Sequence, residues 1–120
     1  MGGRGASSRI VHRAPNYDKV TITEPKITRF CLEPSQKHYK EFVDVGYSKD
    51  KPKQLKTDLL KGLSENETEI TKPNSHGDIS VTVYMKLGVT KKRTFRTGWQ
   101  IDKGTNFPRF VTAYRFNKKR

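Results

Sequence analysis

At residue 79 the hydrophobic period of the chain changes. Ile79, Val81, Val83, Met85 and Leu87 alternate with Ser80, Thr82, Tyr84 and Lys86, and a period of two marks a strand with one buried face. Phe95, Thr97, Trp99 and Ile101 repeat the pattern against Thr94, Arg96, Gly98 and Gln100. DKGTNFP then reads as a turn and RFVTAYRF as the last strand. Upstream, EPSQKHYKEFVDVG predicts a helix from about Pro34 to Val45. Its proline falls in the first turn, Gly46 lies just past its end, and Tyr39, Phe42 and Val43 form its apolar stripe. A second helix is predicted from near Lys51 to Leu63, with Asp50 as N-cap and Leu55, Leu59 and Leu63 facing inward. Helices followed by strands predict an α+β fold: two N-terminal helices packed on one face of an antiparallel sheet of three or more strands, the other face open and basic.

The remaining segments carry weaker patterns. MGGRGASSR offers almost nothing to bury, so residues 1–24 read as a flexible basic tail and residues 25–120 as a single domain. Within that tail a short strand is predicted at Val20 to Thr23, ended by Pro25, and KITRFCL alternates as an extended lead into the domain. SENETEITKPNSHGD reads as a long surface loop. No apolar run is long enough to cross a bilayer, and no signal-peptide stretch opens the chain. Cys31 is the only cysteine, which excludes an internal disulfide; ITRFCLEP makes it a small buried residue rather than a nucleophile.

Charge narrows the partner. The 25 Lys and Arg outnumber the 12 Asp and Glu, for a formal net charge of +13 on 120 residues. The surplus is local: from Lys86 onward there are 11 bases and one acid, Asp102, whereas residues 25–85 carry 10 bases and 9 acids. Such a concentration attracts a polyanion, and nucleic acid above all. An anionic membrane surface or an acidic protein would be drawn to it as well.

Several chemistries lack their residues. His12, His38 and His76 are far apart with no ligand spacing, so no metal and no cofactor are expected. Neither a Walker-type nor a dinucleotide glycine loop occurs, and no GxSxG elbow is present. RNA cleavage by the neighbouring 2′-OH requires less: a base, an acid, and cations on the phosphorane. His38, at the border of the first helix's stripe, is suited to the acid/base step. Arg96, Arg109 and Lys37 can hold phosphate, with Thr97, Thr112 or Tyr114 as hydrogen-bond donors to it. Lys86, Lys92, Arg93, Arg115, Lys118 and Lys119 extend the binding surface. On the wet side of the first helix, Lys37/Glu41 and Lys40/Asp44 have the spacing of ion pairs. Trp99 and Phe95 read as core rather than base-stacking residues. Alternation puts Arg109, Val111, Ala113 and Arg115 on one face of the last strand and Phe110, Thr112, Tyr114 and Phe116 on the other, and either face can meet substrate.

KITRFCLEPSQKHYKEFVDVGYSKD, VYMKLGVTKKRTFRTGWQID and PRFVTAYR together resemble the phage-associated nuclease toxins of the Barnase, EndoU, colicin E5/D and RelE-like class. The resemblance rests on a helix with a Lys-His pair, a strand with T-x-W and a strand with R-x-x-T-A-Y. It implies a metal-independent ribonuclease toxin of a phage or mobile element, acting on RNA and specifically tRNA. An acidic immunity protein would neutralise it. The implied site is His38, Thr97, Trp99, Arg109, Thr112 and Tyr114. A monomer in the bacterial cytoplasm, or one delivered into a target cell, is the corresponding expectation. The competing reading is a nucleic-acid-binding accessory protein that cleaves nothing, or a module that docks on an acidic partner.

Overall fold

The computed structural model of the chain describes residues 8–117. Five antiparallel strands form one sheet in sequence order: β1 (Ser8–Val11), β2 (Thr68–Thr71), β3 (Ile79–Leu87), β4 (Arg93–Ile101) and β5 (Arg109–Arg115). Three helices, α1 (Glu24–Ile27), α2 (Tyr39–Asp44) and α3 (Pro52–Glu65), lie between β1 and β2 in the chain. They cover one face of the sheet, and the fold is α+β as expected.

The inward residues of β3 and β4 are those that the period of two selects. Val81, Val83, Met85, Leu87, Phe95 and Trp99 are all buried. Helix α3 lays Leu55, Leu59 and Leu63 onto them with no exposure at all. Gly62 of α3 faces the Met85 side chain so closely that a Cβ there would overlap its sulfur, so the absence of a side chain sets how near the helix lies. Phe42 of α2 stacks on Phe95 at 5.1 Å, and Trp99 meets Phe110 edge-on at 5.3 Å.

Six expectations are corrected. Residues 8–24 are folded rather than a tail: Ser8 to Val11 pair with Thr71 to Thr68, and Ala14, Val20 and Ile22 are buried in the core. Val20 to Thr23 is not a strand. Thr23 caps α1 by accepting the Lys26 amide at 3.3 Å, and Pro25 stands in the first turn, where its missing N–H costs nothing. What reads as an extended KITRFCL is α1 running into a π-helical turn, Thr28–Leu32. Ile27, Cys31 and Leu32 are all buried, which is helical spacing. Burial pushes the Cys31 thiol up to about 12, in keeping with an inert core residue.

The helix expected from Pro34 begins only at Tyr39. Glu33 is extended, with φ −85° and ψ 134°, as the residue before a proline prefers. Two turns follow, closed by Gln36 N–H to Glu33 O and Tyr39 N–H to Gln36 O. Gly46 ends the segment with φ 103°, the left-handed conformation of a C′ glycine. Helix α3 starts at Pro52 with Lys51 at the cap position and no side-chain cap bond, so Asp50 is not its cap. The supposed loop after α3 contains β2, whose Thr68 and Ile70 are buried; β-branched threonines there serve as strand residues. The stretch 1–7 of the expected tail lies outside the described residues.

With its indole packed on Phe110 and only 2 % exposed, Trp99 should contribute heavily to stability. Trp99→Ala is expected to lose about 3 to 5 kcal/mol in a denaturant melt. Wild-type stability in that variant would contradict the core placement.

Candidate active site

The pairing of β4 with β5 decides what faces outward. Gly98 lies opposite Thr112 but Trp99 lies opposite Phe110, so Val111 is an extra residue bulged from the ladder. A bulge of this kind reverses side-chain parity. Arg109, Thr112 and Tyr114 therefore share the open face with Arg96, Gly98 and Gln100, while Phe110 and Ala113 are buried. Strict alternation had separated Arg109 from Thr112 and Tyr114; the bulge unites them.

On this face Arg96 donates from Nη1 to the Tyr114 hydroxyl at 2.7 Å. That bond, its largest influence, favours the charged guanidinium further. It also leaves the Tyr114 proton free to be donated. Arg96, Thr112 and Tyr114 border a depression of about 280 Å³ above Gly98, together with Thr82 and Gln100.

His38 reaches the same tyrosine from the edge of the sheet. It stands at the N-terminal boundary of α2 and stacks on the Tyr114 ring with centroids 5.2 Å apart. Its Nδ1 lies 2.9 Å from Glu41 Oε2, and a carboxylate acceptor holds the proton on Nδ1. Nε2 then carries the lone pair and has no hydrogen-bond partner among the described residues. Glu41 is fixed in turn, because its Oε1 accepts the Arg115 amide of β5 at 2.7 Å. Sequence reasoning missed Glu41 as the orienting group by pairing it with Lys37; the signal was a histidine and a glutamate three apart on one helix face. Asp44 likewise pairs with Arg115 at 3.6 Å and Lys91 at 3.4 Å rather than with Lys40.

Three expected residues do not join this group, the first being Trp99, which is buried against Phe110. Thr97 is fully buried; it donates to Val83 O at 2.7 Å and accepts from Trp99 Nε1 at 2.8 Å. Its parity on β4 puts it in the core, where it satisfies the indole. Arg109 faces outward but is clasped by Asp102, with Nε to Oδ2 at 2.6 Å and Nη2 to Oδ1 at 3.2 Å. The Arg109 guanidinium, helped by Gln100, holds the Asp102 carboxyl below the usual carboxylate range. This pair closes the β4–β5 turn and leaves Arg109 little unspent charge.

The cations predicted to bind phosphate divide similarly. Lys86, Lys92, Arg93 and Arg115 border one depression of about 350 Å³. Arg115 is committed to Asp44, but among the described residues Lys86, Lys92 and Arg93 make no ion pair. Lys37 is exposed in the turn before His38. Lys118 and Lys119 lie outside the described residues. Among the described residues no three His, Cys, Asp or Glu side chains gather as a metal site, and no helix is long and apolar enough to cross a membrane.

A family model described as a domain of unknown function, DUF6883, matches residues 13–117. The chain belongs to the DUF6883 family. No curated protein and no solved structure matches it. The match begins ahead of α1 and includes all of α1 to α3 and β2 to β5, so the DUF6883 domain contains both His38 and the strands beneath it.

Thr97→Val keeps the shape of the side chain and removes both hydrogen bonds. It should cost about 1 to 3 kcal/mol, because the indole N–H is left without an acceptor. Thermal unfolding checks this, and an unchanged midpoint would return Thr97 to the candidates for function.

Proposed function

We propose that this protein is a metal-independent RNA endonuclease. The observation that carries the reading is the His38 imidazole, oriented by Glu41 and stacked on a tyrosine whose hydroxyl is bound by Arg96. Proton transfer and phosphate stabilisation are the two functions that cleavage by the neighbouring 2′-OH demands. His38 Nε2 takes the 2′-OH proton as the 2′-oxygen bonds to phosphorus. Arg96 and the Tyr114 hydroxyl, with Thr112 beside them, hold the phosphorane oxygens. The P–O5′ bond then breaks, and the imidazolium returns its proton to the departing 5′-oxygen. The products are a 2′,3′-cyclic phosphate and a 5′-hydroxyl.

The resemblance to phage-associated nuclease toxins makes tRNA the first substrate to try. It also makes an acidic immunity protein the expected natural inhibitor, and the bacterial cytoplasm the expected place of action. Cleavage should survive excess EDTA and leave DNA intact. His38→Ala should lower the rate by about 10² to 10⁴ while the protein stays folded. Incubation with total bacterial RNA, with the variant's fold checked by circular dichroism, reads both. A requirement for a divalent ion, or equal action on DNA, rejects the mechanism.

A second reading, binding without cleavage, is favoured by Lys86, Lys92 and Arg93, which border one depression, make no ion pair among the described residues and owe nothing to His38. With Arg96 they offer four phosphate contacts. The log–log salt dependence of single-strand affinity should then have a slope of about −3. A flat response contradicts both readings, whereas a steep one from a wild type inert on every RNA favours binding alone.

A further inference from the structure

Between the Arg96–Tyr114 pair and the cationic depression the open face carries two aromatic rings that neither proton transfer nor phosphate binding uses. Tyr84 lies opposite Arg96 in the β3–β4 ladder and is 40 % exposed. Phe116 follows β5, its amide bonded to Thr94 O at 2.9 Å, and its ring meets Tyr84 edge-on at 4.8 Å. Phe116 also lines the depression bordered by Lys86, Lys92 and Arg93, and Lys86 is paired with Thr94 in the ladder. The order across the face is therefore cation and hydroxyl, aromatic pair, cation cluster.

That order matches the chemistry of an unpaired nucleic-acid strand. Such strands are held by cations along the phosphates and by aromatic rings on which bases stack. A duplex cannot use the rings, because its bases are already stacked on one another. The cations on both sides of the pair favour a polyanion over an apolar protein surface.

We propose that Tyr84 and Phe116 form a base-stacking platform for single-stranded RNA, with one flanking phosphate on Arg96 and the next on the Lys86, Lys92 and Arg93 cluster. This rests on the RNA reading of the site and adds strandedness: the substrate is presented as an unpaired loop or end. Tyr84 and Phe116 bind and position it, and they take no part in proton transfer.

The test uses the full chain and a fluorescein-labelled 2′-O-methyl RNA about 10 nucleotides long, which has no 2′-OH to attack. Fluorescence anisotropy is measured for the single strand and for the same strand annealed to its complement. Wild type should prefer the single strand. Tyr84→Ala should weaken that binding by about 10- to 100-fold and leave duplex binding unchanged, and Tyr84→Phe should retain wild-type affinity. If Tyr84→Ala does not fold, Phe116→Ala at the end of the last strand gives the same readout. Equal losses on both probes, no loss on either, or a wild type that binds no single strand would each overturn the platform. Cleavage of unmodified RNA is scored separately. Tyr84-dependent single-strand binding without cleavage upholds the platform and rejects the ribonuclease; cleavage that ignores Tyr84 does the reverse.

Discussion

Between Gly98 and Trp99 the pairing of β4 with β5 slips by one residue, and the character of both sheet faces follows from that slip. Without it, a strand pairing Ala113 with Thr97 would send Phe110 outward and Arg109 into the core. With it, Phe110 closes against Trp99, and Arg109, Thr112 and Tyr114 all stand on the open face. Val111 takes the unpaired position. Gly98, on the same face, comes so near the Thr112 methyl that a Cβ would lie 3.1 Å from it. The bulge thus joins a well-packed core to an exposed row of cations and hydroxyls in a single strand.

The histidine depends on a second set of contacts, those that clamp α2 to the sheet. Glu41 accepts the Arg115 amide and Asp44 pairs with the Arg115 side chain. Val45 O accepts the amides of Val89 and Thr90 in the β3–β4 turn. Just beyond, the buried Tyr47 hydroxyl donates to Asp58 of α3 at 2.6 Å and accepts from Gly88 N–H at 2.8 Å. Burial, reinforced by Asp58, keeps that phenol protonated well above its ordinary range. These bonds hold α2 against the sheet, with His38 at its start meeting Tyr114 of β5. Preorganisation of this sort lets an imidazole act without first being gathered into place.

Electrostatics separates structural cations from those left to bind. Arg109 is spent on Asp102 and Arg115 on Asp44, whereas Arg96 is bound to a neutral hydroxyl and, among the described residues, Lys86, Lys92 and Arg93 to no carboxylate. A guanidinium facing a phenol keeps its full charge for a phosphate; one facing a carboxylate does not. The local surplus of charge in the last third of the chain is therefore smaller in effect than its count, and it is concentrated where β3, β4 and the end of β5 meet.

By itself the sequence determined what local periodicity governs. The alternation in β3 and β4, the leucine spacing of α3 and the glycine after α2 each reflect contacts made within one element and one face. The concentration of charge after Lys86 was legible from composition alone, whereas His38, expected inside a helix, stands at the boundary of one. Tertiary structure alone decided the rest. Strands β1 and β2 are four residues each and stabilise one another across some sixty residues of chain, so neither carries a pattern long enough to read. The parity of β5 depends on a bulge that only its partner strand defines. Thr97 looked like a donor to phosphate because a threonine's type does not reveal its face, and the indole of Trp99 claimed it. Glu41 became the partner of His38, rather than of Lys37, because the segment after Pro34 turns before it coils, which placed the histidine at the helix boundary beside the tyrosine of a strand more than seventy residues away.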